Sequence, residues 1–343
     1  MSLARAIISG DLAELPSRRE EDWRWSDIRA LVRVLPETSP AFEGELPPGP
    51  FDGLADETVE IVNGGGPAEI ALAAGVKRVV ALRYVARGAG SHPSKLAIRL
   101  GARAELVLLE SREGEADYVT QADLAITLGE GARLERIVLA TEGDGAVAVS
   151  RAEVGLSPSA SLAQTVVTTG ARRQRLETRV AHAGGGACAR LDGLYLVGAK
   201  RHSDITTVVV HEGPDGTTDQ LTKGVAADQG RGVFQGRIEV RPGADGADAR
   251  MGHHALVLSE RAEVDAKPEL EIFADDVACS HGNTIGALDE EALFYARQRG
   301  IPEAEARAML TEAFLGAVIE RIEHEGARKV VRAFVASRTG DLA

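Results

Sequence analysis

A chain of 343 residues, 44% of them hydrophobic, can bury a large core in one extended domain or in two to three compact ones. Its 52 Asp and Glu against 39 Lys and Arg give a net charge of −13, which excludes a broad electrostatic attraction to nucleic acid or to an anionic membrane. Two cysteines, Cys188 and Cys279, exclude a disulfide framework; MSLARAIISGDLAEL has no signal-like apolar core and no stretch nears the roughly 20 apolar residues that span a bilayer, so the expected compartment is the cytoplasm.

In LPSRREEDWRWSDIRALVRVL, Ser17 and Glu20 have the spacing of a capping box, which predicts a helix starting near Arg18. The next stretch, PETSPAFEGELPPGPFDG, places Pro36, Pro40, Pro47, Pro48 and Pro50 where helix is disfavoured and reads as a linker or extended connection. Residues 1–56 are therefore expected to form a helical N-terminal segment and its linker.

From residue 57 the pattern changes to short runs such as VEIVNG, KRVVALRYV, AELVLLES, ARLERIVLA, DITTVVVHE and HHALVLSE, separated by Gly, Asp, Asn or Ser. No convincing amphipathic helical stretch of ten or more residues interrupts them up to about residue 285, so helical crossovers of a doubly wound sheet are excluded and a sandwich, a barrel or a strand solenoid remains. The turns ARAELV, GARLER, SASLAQ and ERAEVD share one pattern, aromatic residues make up 4%, and the span exceeds one sandwich, which favours a mainly β fold built on a β-helix over 57–288. The spacing shows no clean period. About ten coils stacked about 4.8 Å apart would make a rod of roughly 50 Å, with two open ends in need of caps or a partner.

Residues 289–343 return to helix. Asp289 can cap DEEALFYARQR, Gly300 ends it, and Pro302 opens a second helix, making a hairpin. In that second helix Ala306, Met309, Leu310, Ala313, Phe314, Ala317, Val318 and Ile322 form an apolar stripe, ended by Gly326. The stripe is expected to pack on the first helix and the solenoid end, with partner docking as the alternative.

The stretch KPELEIFADDVACSHG carries the chemistry. Leu270, Ile272, Ala274 and Ala278 occupy the even positions; Glu269, Glu271, Asp275, Cys279 and His281 are odd. In an unbroken strand Cys279 and His281 point together, away from the core, whereas a corner at Asp275–Asp276 reverses the phase of one half. A thiolate and an imidazole on one face suit iron or zinc, but two ligands are not four, and no CxxC or HxxxH stands nearby. The alternative is a free cysteine and a hydrogen-bonded histidine. Adjacent His253 and His254 face opposite sides of a strand, one exposed and one half-buried, and Cys188 reads as a small core residue. Asp275 and Asp276 read as solvated or turn-capping carboxylates. With no GxxxxGK[ST] loop the chain is not expected to hydrolyse ATP, and with no GxSxG elbow a hydrolase nucleophile is not indicated.

TKGVAADQGRGVFQGRIEV (222–240), ALVLSERAEVDAKPELEIFADDVACSHGNTIGALDEEALFYARQRGI (255–301) and EEDWRWSDI (20–28) resemble the SufB/SufD family, scaffold subunits of the SUF iron–sulfur cluster assembly machinery. KPELEI and CSHG, where SufB typically has FPYIEV and EHEA, favour the SufD branch. The resemblance implies a right-handed parallel β-helix flanked by helical segments, no enzymatic activity of its own, and assembly with a SufB-like subunit and a SufC-like ABC ATPase. It maps the family's Cys-Ser-His onto Cys279, Ser280 and His281, with the histidine implicated in nascent cluster formation and the missing thiolate supplied by SufB; His253-His254-Ala255-Leu256 stands where SufB carries that cysteine. The hairpin at 290–324 matches the SufC-docking segment, which makes Phe294, Arg299, Met309, Leu310 and Phe314 candidate partner-binding residues. The implied cofactor is an iron–sulfur cluster, transient and shared with the partner; a flavin in the complex and a homodimer of the isolated chain are left open. The rival reading is a β-helical carbohydrate-active enzyme, which would want a signal peptide and a basic or aromatic groove. DNA binding through the hairpin conflicts with its many acids.

Overall fold

Alternating runs from Glu57 to Gly286 fold into seventeen strands, from β1 (Glu57–Val62) to β17 (Ala278–Gly286). The structure, a computed structural model, describes residues 2–342. Every ladder between these strands is parallel: the odd-numbered strands form a nine-stranded sheet and the even-numbered ones an eight-stranded sheet. Each turn of the chain thus adds one strand to either sheet, giving a parallel β-solenoid of about eight turns. With layers about 4.8 Å apart the stack is roughly 38 Å long. Ten coils overcounts, because two of the sequence's short runs make one turn.

The repeat is real but uneven. In register, Glu105 lies beside Arg133, then Ser161, Cys188, Thr217, Asp248 and Ala278, steps of 28, 28, 27, 29, 31 and 30 residues. Corner lengths absorb the variation while the strands stay aligned. Between the sheets Leu106, Leu134 and Leu162 stack in one column and Ile98, Leu124 and Phe234 fill the same buried interior. Burial of each such side chain stabilises the fold by about 1.5–3 kcal/mol. The interior also holds polar ladders that are internally paired: Glu110 accepts from Arg136 at 2.7 and 2.9 Å, and Arg136 donates onward to Gln164 at 2.7 Å.

The N-terminal segment covers the outer face of the even-numbered sheet. Helix α1 (Leu3–Ser9) and residues Leu15, Ile28 and Val32 pack on Val119, Val147 and Val149. No helix starts at Arg18. Half of the capping box forms, with Ser17 N–H donating to Glu20 Oε1 at 3.1 Å, but only a short 3₁₀ turn, Glu21–Trp23, follows. The solenoid claims this segment's carbonyls instead: Trp25 O pairs with His202 Nε2 at 3.0 Å, Asp22 O accepts from Arg175, and the Arg175 guanidinium sits 4.4 Å from the Trp23 ring.

On the opposite flank, the outer face of the odd-numbered sheet is covered by α3 (Glu303–Ile319) and α4 (Glu325–Leu342). Leu315, Val318, Ile319, Ile322, Val331 and Val335 pack on Ile137, Leu139, Val167, Leu194, Leu196 and Val225. The stripe of the second helix therefore lies against the side of the solenoid and not its end, and Met309, Ala313 and Ala317 are left exposed. Gly326 does not stop that helix. The stop comes at Glu320, and Gly326 lies inside α4, where an added Cβ would come 2.8 Å from Leu54 Cδ2. The entry to α4 is held by Glu135, whose carboxylate accepts from the backbone N–H groups of Glu323 and His324. Among the described residues no helix is long and apolar enough to cross a membrane.

Candidate functional site at the last turn

Strand β17 is laid down beside β15 (Asp248–Val257), with Ala249 opposite Cys279, Met251 opposite His281 and His253 opposite Asn283. Ala249, Met251 and His253 are interior residues, each nearly or fully buried. Cys279, His281 and Asn283 therefore occupy the inward phase of the last turn, contrary to the outward phase of an unbroken strand. The chain turns between β16 (Glu263–Ile272) and β17, at Asp275–Asp276, and the corner resets the alternation.

Inward does not mean sealed here. Among the described residues no strand follows β17, so His281 and Asn283 are exposed, while Cys279 is half-buried against the interior cluster. Burial pushes the Cys279 thiol up from its ordinary range, partly offset by a backbone hydrogen bond from Ala249. The thiol is thus protonated at neutral pH and becomes a ligand on meeting a metal that displaces its proton. Ile272, Phe273 and Ile285 add exposed apolar surface on the last turn, and β16 and β17 present free strand edges.

Directly beneath lies a buried polar chain that the sequence did not disclose. His253 is fully buried, stacked on Phe234 with centroids 4.7 Å apart; its Nε2 is 3.0 Å from Tyr195 Oη and its Nδ1 is 2.6 Å from Asn283 Oδ1. The 30-residue step from 253 to 283 is the only signal that could have joined them. His254 does face the other side, as strand alternation requires, with Nδ1 2.7 Å from Thr284 Oγ1. The burial differs from expectation, however: His253 is enclosed and His254 is the half-buried one. Cys188 is exposed and not a core residue, because its neighbours Ala187 and Ala189 are the ones that turn inward.

Cys279 and His281 are two donors. Among the described residues no three His, Cys, Asp or Glu side chains gather into a metal-holding group, and Asp275 and Asp276 stay exposed at the corner.

The hairpin beyond β17 starts at α2 (Glu290–Gln298), whose first turn is capped by Asp289 accepting from the N–H of Glu291 and Ala292. Only Leu293 of α2 is buried. Phe294 is 63% exposed and Met309 49%, and Arg299 lies exposed with its guanidinium 4.7 Å from the Tyr295 ring. Leu310 and Phe314 are instead half-buried against the cluster that holds α3 to the sheet, and Lys223 Nζ donates to Phe314 O at 2.7 Å while standing 4.3 Å from its ring. Three of the five candidate docking residues are open to a partner; two mainly hold the fold.

Comparison with known families bears on this geometry. Residues 84–314 match the family model described as SUF system FeS cluster assembly, SufBD core domain. The iron–sulfur cluster assembly protein SufD of Escherichia coli is 32% identical over 238 residues, 69% of this chain and 56% of that protein. An iron–sulfur cluster assembly SufBD family protein of Mycobacterium tuberculosis is 27% identical over 91% of this chain and 86% of its own length. The SufD protein of Bacillus subtilis is 35% identical over 145 residues, 40% of this chain and 33% of its own.

Proposed function

The chain belongs to the SufBD core family of the SUF iron–sulfur cluster assembly system, and from that premise we propose that it is a non-enzymatic scaffold whose last turn forms half of a cluster-assembly site. Its partner is a SufB-like subunit, which pairs against the free edges of β16 and β17 and contributes a cysteine thiolate of its own, where this chain has His253-His254-Ala255-Leu256. The observation that carries the reading is the position of Cys279 and His281: the inward phase of a terminal layer, open at its end and rimmed by exposed Ile272, Phe273 and Ile285. A second solenoid laid on this end would cover apolar surface, complete the strand edges and bring its own donors to the same cavity.

The cluster is cargo in this scheme. His281 offers an imidazole nitrogen to iron and Cys279 a sulfur once its proton is displaced. The half-buried position of Cys279 disfavours its thiolate form in the free chain, so iron must displace the proton on binding.

A SufC-like ATPase docks on the α2–α3 hairpin through Phe294, Arg299 and Met309, with Leu310 and Phe314 beneath them fixing the hairpin to the sheet. Several contacts support a mechanical coupling. Arg321, just past α3, lies 3.0 Å from Asp192 and 2.6 Å from Asp219, on β11 (Cys188–Val197) and β13 (Thr217–Ala226). From β13 the same sheet continues through β15 to β17. Movement of the hairpin by ATPase dimerisation is thereby passed to the terminal layer, and the energy comes from the partner.

The test is co-expression with SufB- and SufC-like subunits, anaerobic purification and an absorbance spectrum. His281→Ala should lower cluster content while the subunits still copurify. Wild-type cluster content in that variant would remove His281 from the site.

A further inference from the structure

Asn283 shares the inward face of β17 with Cys279 and His281, and its neighbour in the layer beneath is His253. The protonation of that histidine decides which way the amide is held. Tyr195 Oη lies 3.0 Å from His253 Nε2 and has no other hydrogen-bond partner among the described residues. If Nε2 carried the ring proton, the Tyr195 hydroxyl hydrogen would be buried without an acceptor, a loss of about 1–3 kcal/mol. Tyr195 therefore donates to Nε2, the ring proton sits on Nδ1, and Nδ1–H donates to Asn283 Oδ1 at 2.6 Å. Turning the amide over would set N–H against N–H.

The support beneath is rigid. The imidazole is stacked parallel to the Phe234 ring, within 1°. The Tyr195 ring passes over Gly224 and Gly232, where an added Cβ would lie 1.8 and 2.2 Å from ring atoms, so both positions are glycine because the ring needs the room. Asn283 itself is exposed, and its amide nitrogen makes no hydrogen bond among the described residues. Two N–H donors are thus left at the open end, roughly 7 Å along the strand from His281.

We propose that Asn283, held by His253 and Tyr195, is a hydrogen-bond donor of the terminal site, directing its amide N–H groups at sulfide or thiolate sulfur of cargo bound beside Cys279 and His281. This inference rests on the assembly reading above. Sulfide and thiolate sulfur are anionic acceptors, and N–H···S hydrogen bonds favour the reduced, more negative state of a cluster and strengthen its retention.

Two substitutions separate holding from donating. Asn283→Asp keeps an acceptor for His253 Nδ1–H but removes both donors and adds a negative charge; Asn283→Ala removes acceptor and donors together. In the isolated chain, long-range ¹H–¹⁵N NMR of His253 should report the Nδ1–H tautomer, and an Nε2–H tautomer would overturn the proposal. In the co-expressed assembly reconstituted anaerobically with ferrous iron and sulfide, Asn283→Asp and Asn283→Ala should both release the cluster to EDTA about tenfold faster than wild type and lower its midpoint potential. Unchanged release and potential in Asn283→Asp, with Cys279→Ala and His281→Ala both perturbed, would overturn the donor role alone. Unchanged behaviour in all of these variants would overturn the assembly reading itself.

Discussion

Met251 and His281 occupy the same inward column in adjacent layers, yet Met251 is 2% exposed and His281 is open to solvent. The backbone pairing of the two residues is alike; what differs is that one has a layer above it and the other does not. In a solenoid, burial is set by stacking as much as by strand alternation, so ending the stack exposes interior-facing side chains as a set. An open, interior-facing surface is made here by stopping, and the residues on it are those a further turn would have buried.

The contrast between middle and end can be broken most sharply at two phenylalanines. Phe234, fully buried between layers, should cost about 3–5 kcal/mol on truncation to alanine in urea unfolding of the isolated chain, because it leaves a cavity. Phe273, 61% exposed beside the last turn, should cost less than about 1 kcal/mol. Equal losses would show that the end is packed as tightly as the middle.

Buried charge sharpens the same comparison. Arg136→Met removes one of the two guanidinium groups around Glu110, whose side chain is fully enclosed, and should cost about 3 kcal/mol. Arg250→Met, at an exposed pair with Asp248 beside the terminal strand, should change stability by less than about 0.5 kcal/mol. A smaller effect separates the interior by pH. Burial pushes His182 and His202 down to about 3, with His211 beside the first and Arg173 and Arg231 beside the second adding to the shift. The unfolded chain takes up protons below about pH 6.5 and these folded imidazoles do not, so stability falls as pH drops from there. Each contributes about 2 kcal/mol of loss by pH 5. Asp192, raised by burial to about 7, acts oppositely: its folded carboxyl holds a proton that the unfolded one gives up, so its share is lost as pH rises between about 4 and 7. His182→Asn together with His202→Asn should flatten the acid slope; an unchanged slope would place the acid sensitivity elsewhere. The smallest effect is at the end itself, where His281→Ala should leave the unfolding midpoint of the isolated chain nearly unchanged.

The solenoid was legible in sequence because its cause is local: short β-branched runs, turn residues between them, and no helix long enough to cross over. Its period was hidden because the register step between stacked strands ranges from 23 residues (Glu57 to Val80) to 32 (Arg231 to Glu263), the difference lying in corners whose length no strand rule governs. The phase of Cys279 depended on one such corner, Asp275–Asp276, which shifts the alternation without changing composition. Gly326 was read as a helix end from residue type alone, although its reason is the nearby Leu54 side chain. Ser17 and Glu20 signalled a local turn correctly but not a helix, since Arg175 and His202, more than 150 residues away, take the carbonyls a helix would have used. The motif CSHG marked Cys279 and His281, whereas Asn283 needed the register, which links it to His253 and Tyr195 across distant layers.

Alkylation of Cys279, followed by mass spectrometry with exposed Cys188 as internal reference, tests the central claim that the end of the solenoid is a partner surface. At mildly alkaline pH, iodoacetamide should label Cys279 in the isolated chain, more slowly than Cys188, and be excluded from it, relative to Cys188, in the co-expressed assembly. Labelling of Cys279 at the same relative rate in both would contradict the account.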